Sequence, residues 1–342
     1  MSGVSGSTPV NISVILPTLN RADSLREALE RLKAQETGGR FTYEMIVVDN
    51  GSTDHTRRVV EALQPAFPVP LRYVYEAQRG RPCAVNAGMA MAGGGLFVFT
   101  DDDILTPPGW LAAMWTCFQE EHPDGIAGRV VPLWLASPPE WLGEGEMRKL
   151  GQIGCVDHGL ERRSSRDGRY CRWVGGNLAI SRAAVERIGP YDVCMTRTED
   201  TEYFWRFMDR GLVVCYEPAA VVQHKVGAER MNPEYFRRWR HREGYYLAHL
   251  IPWKPFHLVT IMPLWRARVT LNVLAAWIRS VVTRQPWLTR FKAELLVRQE
   301  VSVWARRLQL WPQWWGAMFT GRRSMCEAGV AHGEAMRQEH IA

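Results

Sequence analysis

The sequence lacks several signatures that would settle its class at once. No GxxxxGK[ST] phosphate loop occurs, and no GxGxxG follows the first apolar run, so nucleoside-triphosphatase and dinucleotide-dehydrogenase readings lose their main support. Cysteine is sparse. Its seven residues are scattered, odd in number and without a CxxC pair, which indicates neither a disulfide framework nor a zinc site and suits a reducing, cytoplasmic compartment. The first nine residues carry no basic or apolar leader pattern, so no signal peptide is expected. No run of about 18 uncharged apolar residues exists, because Arg266, Arg268 and Arg279 interrupt the best candidate, and a spanning helix is not expected. The net charge of +6 selects no partner alone, and no nucleic-acid partner is expected.

What is present is an ordered series of apolar runs that end on carboxylates. Leu96-Phe97-Val98-Phe99 reads as a strand covered on both faces, and it stops on Thr100 and three consecutive aspartates, Asp101, Asp102 and Asp103. If the extended backbone persists, Asp101 and Asp103 point one way and Asp102 the other, so the first and third make a pair of oxygen donors suited to Mg2+ or Mn2+. The plain alternative is a solvated acidic turn before a helix that Thr106-Pro107 would start.

Upstream, Ile12 to Leu16 reads as a strand, broken by Pro17, with Asn20 or Asp23 as the cap of a following helix. Met45 to Val48 is a second strand, delivering Asp49 at its end, and Leu71 to Tyr75 is a third. Arg79 and Arg81 precede a helix that runs to Gly93, a place that favours phosphate, though a solvated basic loop reads equally well. Repeated strand–helix units imply an α/β fold, a doubly wound and mostly parallel mixed sheet flanked by helices. Its ligand crevice would lie outside the carboxyl ends of the strands, where Asp49 and Asp101 to Asp103 fall.

Taken together, these motifs resemble the inverting family 2 glycosyltransferases of GT-A fold over about Ile12 to His224. The resemblance rests on Val14-Ile15-Leu16-Pro17-Thr18-Leu19-Asn20, Ile46 to Asp54, Ala84-Val85-Asn86-Ala87-Gly88, Thr100 to Asp103, Gly175-Gly176-Asn177, Gly189-Pro190-Tyr191-Asp192 and Thr198-Glu199-Asp200-Thr201-Glu202. It implies a metal-dependent inverting transfer of a sugar from a nucleoside-diphosphate sugar, UDP-sugar favoured, to an acceptor hydroxyl in polysaccharide, glycan or glycolipid synthesis. Pro17 and Asp49 would line the base pocket, with Asp49 accepting from the base N3–H. Arg81, Asn86 and the Gly175-Gly176-Asn177 turn would complete the nucleotide-sugar site. Asp101 would hold ribose or a metal-bound water, Asp102 donor-sugar hydroxyls, and Asp103 the Mn2+ or Mg2+, with Asp101 and His224 as further metal ligands. Asp200 would be the general base, with Glu199 and Glu202 as rivals within the same helical turn. A nucleotidyltransferase and a non-catalytic nucleotide- or carbohydrate-binding module are the competing classes.

The expected organisation is a flexible start (1–10), a catalytic domain (11–250), a basic Trp-rich helical extension (251–320) and a flexible tail (321–342). Tyr235-Phe236-Arg237-Arg238-Trp239 falls where processive relatives carry QxxRW, but Tyr235 replaces the Gln, which argues against polymerase activity. The extension reads equally as a peripheral membrane helix at the inner face of the membrane or as helices packed on protein. The expected partners are a nucleotide-sugar donor and a carbohydrate or lipid-linked acceptor.

Overall fold

The computed structural model describes residues 10–142, 153–169, 171–195, 198–250 and 262–320, with side chains to Leu310. Two compact units divide it, Met1–Ala228 and Glu229–Ala342. The second unit therefore begins with the helix from Pro233, about twenty residues before the boundary expected at 250.

The first unit is built on strands whose successive residues are apolar on both faces. β1 (Ile12–Thr18), β2 (Tyr43–Asp49), β3 (Leu71–Tyr75) and β4 (Leu96–Phe99) pair in parallel, in the order β3-β2-β1-β4. Alternation sends Val14, Leu16, Met45, Val47, Leu96 and Val98 to one side, against α1 (Ala22–Lys33), α2 (Thr56–Leu63) and α4 (Trp110–Glu121). Ile15, Ile46, Val48, Phe97 and Phe99 face the other side, against α3 (Arg81–Met91), α5 (Arg182–Ile188) and α6 (Glu199–Asp209). Both layers are buried, as parallel sheets require. At Gly88 the approach of α3 to the sheet is so close that a Cβ would lie 2.5 Å from Ile15 Cγ2.

The sheet then becomes mixed. β8 (Leu178–Ser181) runs antiparallel to both β4 and β6 (Gly125–Trp134), while β6 pairs in parallel with β9 (Val214–Val226). Two short strands, β5 (Ile104–Leu105) and β7 (Arg163–Ser164), pair antiparallel with β9 and complete the nine-stranded sheet. β9 is one strand with an irregularity. Its register against β6 passes from Gly128 opposite Glu217 to Arg129 opposite Val221, so Pro218, Ala219 and Ala220 are carried as a bulge. Cys194 is disulfide-bonded, a pairing that depends on tertiary approach and that sequence spacing cannot show. Cys83, Cys117, Cys171 and Cys215 are buried free thiols.

The second unit contains α7 (Pro233–Leu250), α8 (Leu264–Val282) and α9 (Trp287–Thr320). α7 and α9 meet at Gly244, where a Cβ would stand 2.2 Å from the Gln299 carbonyl oxygen, so only glycine permits the approach. Arg237 pairs with Glu294 at 2.9 Å, and Arg266 pairs with Glu300. No helix among the described residues is long and apolar enough to cross a membrane.

Candidate active site

The carboxyl ends of β1, β2 and β4 bring the site together. Thr18 and Asp49 are register partners at the ends of β1 and β2. Asp49 is 2% exposed, and both its oxygens already accept one hydrogen bond: Oδ1 from the Ser52 N–H at 2.7 Å and Oδ2 from the Tyr73 hydroxyl at 2.7 Å. Pro17 is buried one residue before Thr18. Tyr73, on β3, gave no signal in the sequence beyond its place in a strand.

The three aspartates do not continue the strand. The Ile104 N–H closes a turn onto the Asp101 carbonyl at 3.2 Å, so the extended backbone on which strand alternation rests does not persist through the triplet. Instead Asp101 turns to Arg81, at 3.0 Å, while Asp102 and Asp103 share Arg21 at 3.0 and 2.9 Å. Asp102 also accepts from the Thr18 hydroxyl at 2.8 Å and is 4% exposed. Its burial pushes its carboxyl up to about 6, against the lowering effect of Arg21 and Thr18. Burial likewise raises Asp101, with Arg81 opposing it. Arg21 itself loses by burial but is held above its ordinary value by Asp102 and Asp103.

Arg81 opens α3 and reaches three carboxylates. Besides Asp101 it meets Glu199 at 3.4 Å and Asp200 at 3.2 Å, both at the start of α6. Asp200 Oδ2 accepts from the Gly175 N–H at 2.9 Å, and the Asp200 carbonyl accepts from the buried Trp173 indole at 3.1 Å. A Cβ at Gly175 would lie 2.5 Å from Arg81 Nη2 and 2.6 Å from Asp200 Oδ1, and one at Gly176 would lie 3.0 Å from Asp101 Oδ2. The two glycines are thus explained by the closeness of this ion-paired cluster. The rivals for the base separate cleanly. Glu202 is bound to Arg206, four residues on, by two contacts of 2.5 and 2.9 Å. Glu199 is 8% exposed, and burial, then Asp200, raises it to about 7. Asp200 has 28% of its side chain exposed.

Two expected donor contacts turn elsewhere. Asn177 is fully buried: it accepts from the Trp110 indole at 2.8 Å and donates to the carbonyls of Arg129 (3.0 Å) and Ala220 (2.7 Å), so it braces the turn from behind. Asn86 exchanges two hydrogen bonds with the Tyr191 backbone, donating at 2.9 Å and accepting at 2.8 Å, and ties α3 to the segment before α6. Both amides satisfy backbone groups that the sequence places 43 to 105 residues away, which spacing could not show.

His224 lies on β9, paired with Ile104 of β5. Its Nδ1 is 2.7 Å from the Ile153 carbonyl oxygen, which can only accept, so Nδ1 donates there and Nε2 is the ring nitrogen turned to the site. Nε2 lies 3.6 Å from Asp103 Oδ2. Gly154 makes room for the ring, since a Cβ there would be 2.8 Å from His224 Cε1. Among the described residues no group of three or more His, Cys, Asp or Glu is gathered as a metal site. The pair Asp103 and His224 nevertheless has the donor chemistry of one, an oxygen and an imidazole nitrogen oriented from behind by a carbonyl.

The α/β sheet thus gathers acidic strand ends, a carboxylate at the start of α6 and glycines pressed against it. Residues 13–144 match the model described as Glycosyl transferase family 2. The chain is 33% identical over 117 residues to an uncharacterized glycosyltransferase of Nostoc sp., a match covering 34% of this chain and 35% of that protein. It is 23% identical over 227 residues to the succinoglycan biosynthesis protein ExoM of Rhizobium meliloti, covering 66% and 70% respectively. A mannosyltransferase from Pyrobaculum calidifontis, solved in complex with GDP-Man and Mn2+, superposes with a TM-score of 0.53 at 18% identity, over 97% of this chain and 83% of that one. These findings make residues 13–144 similar to the family 2 glycosyltransferases, and the fold is GT-A.

Proposed function

We propose that this glycosyltransferase is metal-dependent and inverting, and that it moves a sugar from a nucleoside-diphosphate sugar to a hydroxyl of a carbohydrate or lipid-linked acceptor. The observation that carries the reading is the division of labour across the sheet edge. Asp103 and His224 face each other on one side, and Asp200 stands apart from them beside Gly175, with Arg81 between Asp101 and Asp200. A single in-line displacement needs a base on the acceptor side and positive charge on the leaving-group side, and one carboxylate cannot serve both.

In this reading Asp200 takes the proton of the acceptor hydroxyl as its oxygen bonds to the anomeric carbon, while the bond from that carbon to the diphosphate breaks and its electron pair leaves with the nucleotide. Arg81 and the Gly175 N–H hold the Asp200 carboxylate in place. Asp103 and His224 are the residues that would hold Mn2+ or Mg2+, with Asp101 joining when Arg81 turns to phosphate. The cation would supply Lewis-acid stabilisation of the departing diphosphate. The Mn2+ present with the Pyrobaculum enzyme supports a divalent cation. Asp49 binds the base. Because each of its oxygens is already committed once, it suits the single N3–H of uracil better than the paired donors of guanine, and a UDP-sugar is the favoured donor.

Calorimetry with UDP in the presence and absence of Mn2+ tests the metal assignment. Chelation should abolish turnover, and Asp103→Ala should lower UDP affinity at least tenfold with Mn2+ present and little without it. Equal affinity of wild type and Asp103→Ala in Mn2+ would remove Asp103 from the ligand set.

A further inference from the structure

α8 has two unlike sides. Toward α9 it offers Arg266, Thr270 and Ser280: Arg266 pairs with Glu300, the Thr270 hydroxyl donates to Glu300 at 2.8 Å and accepts from the Trp304 indole at 3.0 Å, and Ser280 is buried. On the other side Leu264, Leu271, Ile278 and Val282 follow one another at helical spacing and are 74, 66, 53 and 73% exposed. Trp265 flanks this stripe a quarter turn away and is 58% exposed, with Arg268 and Arg279 between it and the stripe. An apolar stripe of this length left in water is unusual for a surface helix and marks a contact face.

Charge decides what the face meets. Between Glu243 and Glu294 the chain has no acidic residue, while five arginines and two lysines fall there. A second copy of α8 would set Arg268 and Arg279 against their own counterparts, with no carboxylate on the helix to receive them. An anionic lipid surface reverses that balance. The aliphatic residues and Trp265 enter the headgroup–acyl boundary, and the two arginines extend their stems along the apolar surface to reach phosphate.

We propose that the outward face of α8 is a docking surface for a membrane carrying anionic lipid. The assignment is independent of the sugar-transfer reading, since it rests on the second unit alone. The full chain should cosediment with vesicles of equal parts phosphatidylcholine and phosphatidylserine, and less with phosphatidylcholine alone or at raised salt. Arg268→Gln with Arg279→Gln should weaken binding roughly thirtyfold, from about a fivefold loss per basic residue. Leu271→Ser with Ile278→Ser should weaken it further without altering helicity, because both side chains are solvent-exposed. Bromolipid quenching should lose a component in Trp265→Phe, a variant too mild to unfold the helix. Two results would overturn the proposal: vesicle binding and quenching unchanged in all three variants, or a concentration-dependent dimer that Leu271→Ser and Ile278→Ser dissociate, which would make the face an interface between copies.

Discussion

The sheet edge of the first unit and the helices of the second handle the same ion pairs in opposite proportion. At the sheet edge two arginines are spread over five carboxylates, Arg81 over Asp101, Glu199 and Asp200, and Arg21 over Asp102 and Asp103. In the helical unit it is Glu294 that is shared, between Arg237 and Arg298. The acidity of the groups follows. Burial raises Asp102 to about 6 and Glu199 to about 7, whereas Glu294, despite burial, is held below the usual carboxylate range by Arg237 and Arg298. A surplus of buried carboxylate costs free energy that a cationic ligand relieves, and a surplus of arginine at a surface invites an anionic one. The two regions thus carry charge excesses of opposite sign.

The largest expected effect is at Asp200, where the comparison claims that one carboxylate of the shared set is chemically special. Asp200→Asn keeps size and the hydrogen bond from Gly175 but loses the basic oxygen. Sugar transfer should fall about 10² to 10⁴-fold while UDP and Mn2+ bind nearly as before. Glu202→Gln should change the rate little, because its carboxylate is committed to Arg206. Single-turnover kinetics distinguish these outcomes. A wild-type chemical rate in Asp200→Asn would reduce the residue to a partner of Arg81.

Gly175→Ala tests whether crowding at the same place matters. Its Cβ would stand within 2.7 Å of both Arg81 guanidinium nitrogens and within 2.6 Å of Asp200 Oδ1, so the pair must separate. The turnover rate should drop roughly ten- to a hundredfold from misplacement of the base, with a smaller change in UDP affinity. If the loss appeared in UDP affinity alone, the glycine would serve the donor and not the Arg81–Asp200 pair.

Much of this was legible in the sequence, and the boundary of legibility has a physical cause. Strand ends could be read because an apolar run that stops on Asp49 or Asp101 states both where burial ends and what emerges. The family resemblance and the fold class that those motifs implied are borne out. Arg21, Thr18 and Tyr73 were not singled out as site residues, since their carboxylate partners lie 81, 84 and 24 residues away and only the sheet brings them together. Asn86 and Asn177 show the complementary case: a polar residue inside a binding motif looks like a ligand contact, and here each also completes backbone hydrogen bonds of a distant segment. The alternation argument for Asp101 and Asp103 failed because β4 ends at Phe99 and the backbone turns. The Glu202–Arg206 pair, by contrast, lies at four-residue spacing on a helix and could have been read directly.

The smallest effect tests the opposite signs themselves. Glu199 has a folded value of about 7 against an ordinary 4.5, raised by burial first and then by Asp200. A raised carboxyl favours the protonated folded state, so its contribution is fully present below about 4.5 and is lost as pH rises through about 7. Between pH 5 and 7 this should cost about 1–2 kcal/mol, and Glu199→Gln, which stays neutral, should remove that slope. Glu294 is depressed, so its contribution is present above the unfolded value and fades as the solution is acidified. Glu294→Gln should therefore lose stability at neutral pH and converge on the wild type in acid. Urea unfolding of the three proteins across this pH range, followed by circular dichroism, reads both. If Glu199→Gln and Glu294→Gln shifted stability with pH in the same direction, the contrast between an anion-rich sheet edge and a cation-rich helical unit would fail at the two groups where it is drawn most sharply.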